Sequence, residues 1–191
     1  MNKKILALLV VVGAGVLAYV FWLSREKVGD ASSAVLTAEE EQEVSLQKAA
    51  ILPDTAASRY THPVLGFSFE KPEGYTIGVI PGNNDEQTLI VQPTSGDVQK
   101  AFQIIIMPLD EPLTLSPDVV TSALPGTTVN TPLAITLDGD GKGMMFASNN
   151  DAFGGKSYEI WFTTDSHLYQ ITSYKDFEEQ LKSIIGTWKF S

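Results

Sequence analysis

The sequence predicts an α+β domain behind a single membrane-spanning helix, for three reasons. Segments that alternate apolar and polar residues with period 2 recur beyond residue 60, separated by turns rich in Gly, Asp and Asn, as the strands of an antiparallel sheet should be. The run Ile104-Ile105-Ile106-Met107 lacks that alternation, which marks a central strand covered on both faces. Near the C-terminus Phe177, Leu181, Ile184, Ile185 and Trp188 recur at spacings of 3 and 4, the stripe of a helix laid on a sheet.

Residues 5–23, ILALLVVVGAGVLAYVFWL, hold no charge across 19 positions. As a helix they would span roughly 28 Å, close to the ~30 Å hydrocarbon core of a bilayer. A cleaved signal peptide has a shorter apolar core of about 7 to 15 residues and ends in Ala-x-Ala. Here the run leads instead into Tyr19, Phe21 and Trp22, residues suited to the headgroup level. With no cysteine in the chain there is no lipid attachment, so the segment is expected to be an uncleaved anchor. Lys3 and Lys4 on one side balance Arg25 and Lys27 on the other. A free N-terminal amine tips the count toward cytoplasmic residues 1–4, placing the rest outside the cytoplasm as a single-pass protein of the cell membrane.

Beyond the anchor lie 168 residues, enough for one domain, carrying 11 basic and 23 acidic side chains for a net charge of −12. Such a surface repels phosphate backbones, so no nucleic acid is expected as a partner. The absence of cysteine removes disulfides, thiolate catalysis and cysteine-ligated metals. Residues 24–59 are rich in Ala, Ser, Glu and Gln and read as a stalk. Within it Thr37-Ala38-Glu39-Glu40 fits a capping box for a short helix over 38–50, stopped before Pro53.

The folded domain is expected over 60–191. Gly66-Phe67-Ser68-Phe69-Glu70 alternates as a strand, closed by Lys71-Pro72-Glu73-Gly74. Tyr75, Ile77 and Val79 share one face of the next, before a turn at 81–85. Residues 88–92 and 101–107 are two more. Ser116-Pro117-Asp118 opens a short helix, with serine as N-cap and proline at the first helical position, ending before Pro125-Gly126. A meander follows over 133–137, 143–147, 156–163 and 168–173, with Asp-Gly and Gly-Gly pairs in its turns. Asp176, with Glu179 three residues on, is expected to cap the last helix. Gly186 suits a left-handed position after it, and 187–190 a short extended tail.

Tyr60-x-His62-Pro63-x-x-Gly66-Phe67-Ser68-Phe69-x-x-Pro72-x-Gly74-Tyr75 resembles the opening of PsbP-like domains. Tyr158-Glu159-Ile160-Trp161-Phe162, Leu168-Tyr169-Gln170-Ile171-Thr172 and Leu181-x-x-Ile184-Ile185-x-x-Trp188-Lys189-Phe190 resemble their closing hairpin, helix and tail. The resemblance covers about residues 60–191 and implies an α/β/α sandwich around a central antiparallel sheet. It also implies a role as an accessory to larger assemblies, a photosystem in one branch of the family and a small GTPase in another. No residue here carries either partner over.

Candidate chemistry is sparse. His62 and His167 are the only histidines, and neither stands in a metal-ligand spacing; His167 follows Asp165-Ser166 in a predicted turn. Asp138-x-Asp140-Gly141 lacks the fifth and twelfth ligands of a calcium loop, having Lys142 and Asn149 there. Gly154-Gly155-Lys156 lacks the flanking residues of a phosphate loop and reads as a turn. Ser24-x-x-Lys27 matches a nucleophile motif by spacing alone. No catalytic, cofactor-binding or metal residue is therefore expected, and no cofactor. The expected function is a noncatalytic binding or accessory domain, tethered to the membrane through residues 5–23 and docking to a protein partner. The alternative is a carboxylate-based hydrolase or carbohydrate-active envelope enzyme using Asp110, Glu111 or Glu159, should folding unite them.

Overall fold

The computed structural model describes residues 50–51, 58–138 and 141–190. The predicted anchor over 5–23, and the stalk helix over 38–50 apart from Ala50, lie outside the described residues. Among those described, no helix is long and apolar enough to cross a membrane.

An eight-stranded antiparallel sheet forms the body, with strands β1 (Ala50–Ile51), β4 (Tyr75–Pro81), β5 (Gln87–Pro93), β6 (Phe102–Pro108), β7 (Asn130–Thr136), β8 (Lys142–Ser148), β9 (Ser157–Thr163) and β10 (His167–Tyr174). Their order across the sheet is β1-β4-β5-β6-β10-β9-β8-β7. The strands expected in this sheet are present within one residue of their ends, except that β7 begins three residues before the expected 133. β6 sits inside the sheet between β5 and β10, and all four residues of its Ile104-Ile105-Ile106-Met107 run are buried, as an apolar run without alternation requires. After β6 the chain crosses to the far edge through α1 (Pro117–Ala123) and meanders back from β7 until β10 pairs with β6. The α1 start is as expected: the Ser116 hydroxyl accepts from the Val119 amide at 3.3 Å, and Pro117 occupies the first turn.

Four features differ from expectation. β1 pairs with β4 inside the segment read as stalk, so the sheet begins ten residues before Tyr60. Phe67 and Phe69 do not join the main sheet. They lie in β3 (Phe67–Glu70), the middle strand of a separate small sheet with β2 (Arg59–Thr61) and β11 (Lys189–Phe190). The helical layers are thinner than an α/β/α sandwich implies: α1 and α2 (Glu178–Ile185) have seven and eight residues, and the small sheet shares one face with α2. What stands is a sheet-rich α+β domain. Finally, Gly186 is right-handed (φ −61°), because its amide continues the helix by donating to Lys182, while Asp176 sits in a 3-10 turn before α2 and does not cap it.

The main core lies between the large sheet and the layer of α2 and the small sheet. Trp188 stacks on both Phe67 and Phe69, with ring centroids 4.6 and 5.4 Å apart, and meets Phe162 and Tyr169 edge-on. The opposite face is crossed by the chain between β6 and β7. There the Thr163 hydroxyl donates to the Leu113 carbonyl at 3.0 Å, and α1 buries Val120 and Ala123.

Candidate functional site

The two faces of the large sheet differ in chemistry. Along β9, Tyr158, Ile160 and Phe162 point into the aromatic core, whereas Ser157, Glu159, Trp161 and Thr163 point the other way and are buried as well. Strand register extends that second set: Thr172 and Phe146 flank Glu159, Gln170 and Met144 flank Trp161, and Ser148 faces Ser157. Seven of the ten buried polar side chains among the described residues lie on this side: Thr88, Ser148, Ser157, Glu159, Thr163, Gln170 and Thr172. Period-2 alternation alone does not show that this side is buried.

Glu159 is the centre of this set, at 4% exposure. Its Oε2 accepts from the Thr172 hydroxyl at 2.6 Å and the Trp161 indole N–H at 3.4 Å; its Oε1 accepts from the Ser157 hydroxyl at 2.8 Å and the Asn150 amide at 3.4 Å. Burial pushes the carboxyl pKa upward, against the pull of these four donors. Asn150 also accepts from the Ala152 amide at 3.1 Å, so the carboxylate ties the 3-10 turn before β9 to the β9–β10 pair. With both oxygens engaged by protein donors and the group enclosed, Glu159 is committed to holding the fold. Gln170 Nε2 and Ser148 Oγ on the same face are buried without a protein partner.

The three candidate carboxylates are not brought together. Asp110 and Glu111 are exposed just past β6, where the Leu109 amide donates to Ser166 beside the β9–β10 turn. Glu159 is in register with Thr172 and, through it, with Gln103, five residues before Pro108. At ~3.4 Å per residue that is about 17 Å along the sheet, beyond the ~5 to 10 Å that paired carboxylates need.

The two histidines occupy different turns, His62 in the 62–66 turn and His167 at the start of β10. His62 is buried; its Nδ1 accepts from the Val64 and Leu65 amides at 3.3 and 3.1 Å, so the proton sits on Nε2, 2.9 Å from Gln87 Oε1. The ring also stacks on Phe67 at 4.9 Å. His62 thus shapes the 62–66 turn, and burial lowers its pKa although the Gln87 bond opposes this. His167 opens β10, with Nδ1 2.8 Å from the Ser166 hydroxyl. Its pKa is lowered first by burial and then by the charge of His62. Of the remaining motifs, the one over 138–141 has residues 139 and 140 outside the described residues; on either side of them the Leu137 amide donates to the Gly141 carbonyl at 2.8 Å. Gly154 and Gly155 take positive φ in the turn before β9. Ser24 and Lys27 lie outside the described residues.

Among the described residues, one surface feature with room for a partner is the edge at β7, the last strand in the order of the large sheet. All its residues but Ile135 are exposed, Leu133 at 60%. Pairing with β8 is regular over Leu133 to Thr136 but shifts register between Asn130 and Leu133, where Thr131 has φ +46° and Pro132 follows. Beside this edge lies a cleft of about 610 Å³. One wall is the irregular strip of Pro112, Leu113, Thr114 and Leu115, the other is Ala134, Ile135 and Thr136, and Lys142, Gly143, Thr163, Thr164 and Asp165 complete it. Its size is within the range that admits ligands or short peptides, roughly 300 to 1,000 Å³. The sequence signal for it is slight: a strand containing proline, which belongs at an edge.

No family model matches the chain, and no curated protein matches it. Among solved structures, the chain is similar to the solution structure of cyanobacterial PsbP (CyanoP) from Synechocystis sp. PCC 6803. The match covers 86% of this chain and 99% of that one, with 12% identity and a TM-score of 0.45. At that identity and degree of superposition, neither residue roles nor a partner carry across.

Proposed function

We propose that the chain is a noncatalytic binding domain, held outside the cytoplasm by an anchor at residues 5–23 and docking to a protein partner. The observation that favours binding over hydrolysis is the state of Glu159: its carboxylate is enclosed, with both oxygens engaged by Thr172, Ser157, Trp161 and Asn150. A catalytic carboxylate needs a free oxygen facing substrate and a second carboxylate nearby. Docking is favoured by the open β7 edge and its adjoining cleft. Anchoring rests on the uncharged 19-residue run, and the side of the membrane on the lysines before it.

The test is crosslinking of the full-length chain in intact cells, with identification of what is captured, beside protease protection of the domain. One reproducible protein partner and protection from protease on the cytoplasmic side are expected. Failure of any protein to associate reproducibly would remove the docking function, and digestion from the cytoplasmic side would reverse the orientation.

A further inference from the structure

We infer that the partner contributes an extended segment bearing lysine or arginine, which adds as a strand to β7 over Leu133 to Thr136 and fills the cleft beside it. The inference rests on the docking function proposed above and specifies its surface. An edge strand turns every second backbone N–H and C=O away from its neighbour, and those groups are matched by another extended backbone. The bulge, the positive φ of Thr131 and Pro132 block the first half of β7 and leave four residues of regular ladder. Leu133, at 60% exposure, supplies an apolar anchor at the start of that ladder.

The sign of the partner follows from the rim. Asp110 and Glu111 lead directly into the 112–115 wall, Asp138 follows β7 by two residues, and Asp165 lines the cleft; all four are exposed. Lys142 is the basic side chain among the lining residues, and no ion pair among the described residues neutralises any of the four acids. An acidic rim of this kind attracts a cationic segment and repels a second copy of itself, which disfavours self-association through the same edge.

The experiment uses the full chain in detergent micelles and a fluorescent ten-residue peptide of alternating lysine and valine as probe, followed by anisotropy and by amide NMR shifts. Saturable binding is expected, with shifts concentrated at 133–136 and 112–115. Methylating alternate backbone nitrogens of the peptide, which keeps its charge, is expected to weaken binding about tenfold or more through lost ladder bonds. The surface variant Asp110→Asn/Glu111→Gln/Asp165→Asn is expected to weaken it about fivefold or more and flatten its salt dependence. Absence of saturable binding, indifference to N-methylation, or shifts mapping elsewhere overturns the inference. A partner captured in cells through another surface would leave the proposed function standing while removing this one.

Discussion

The Thr172 hydroxyl donates to the Glu159 carboxylate at 2.6 Å across the β9–β10 pair, and both side chains are buried. A carboxylate in that position needs its donors, because each one lost leaves part of the charge unsolvated. Thr172→Val keeps the shape and removes one donor, so it is expected to lower unfolding free energy by about 1.5 to 3 kcal/mol. Thr172→Ser should recover most of that loss. Urea denaturation at constant pH checks both.

Glu159 also sets a pH dependence. Its folded pKa lies above its ordinary value of 4.5, with burial as the main cause. The unfolded carboxyl therefore gives up its proton first as pH rises. The stabilising contribution is fully present below about pH 4.5 and is lost as pH climbs through the folded pKa. Glu159→Gln cannot titrate, so the stability difference between wild type and variant is expected to shift against wild type as pH rises from about 4.5. A difference independent of pH would contradict this. Taking the difference cancels the histidines, which titrate in both proteins.

For His62 the sign is opposite. Its folded pKa lies below 6.5, so stability is fully present above about pH 6.5 and is lost as pH falls through the folded value. The geometry gives the reason: a proton on Nδ1 would face the Val64 and Leu65 amides, which themselves donate there. His62→Asn retains an acceptor and removes the charge. It is expected to lose less stability than wild type on acidification, with the remaining dependence in this range due to His167. NMR titration of the His62 ring gives a direct reading, and a midpoint at or above 6.5 would refute the assignment.

Gly143 in β8 leaves no room for a side chain against β9. A Cβ there would run into the Trp161 carbonyl oxygen and lie 2.6 Å from the Phe162 Cα, both backbone atoms unable to move aside. Gly143→Ala is expected to cost about 3 kcal/mol or more. Gly78→Ala in β4, where nothing lies within 4 Å of the added Cβ, should be close to neutral and serves as the control. Thermal unfolding of the two variants separates a specific clash from a general effect of losing glycine.

Most of the strands were legible because period-2 patterns and Gly-Asp turns report local geometry. α1 was legible from Ser116-Pro117 for the same reason. What escaped depended on contacts between distant segments. Phe67 and Phe69 show a buried face, but not that β11, more than 110 residues later, would pair with their strand. The burial of the polar side of β9 and β10 is another such case, since Ser157, Glu159, Gln170 and Thr172 carry no local mark that folding would enclose them.

The most direct measurement places a photoreactive amino acid at Leu133, on the β7 edge, or at Val64, 78% exposed in the 62–66 turn, of the full-length chain in intact cells. Capture of one protein from position 133 and none from 64 is the expected result. Capture of the same partner from 64 alone, or no capture from 133, would contradict docking at the open edge.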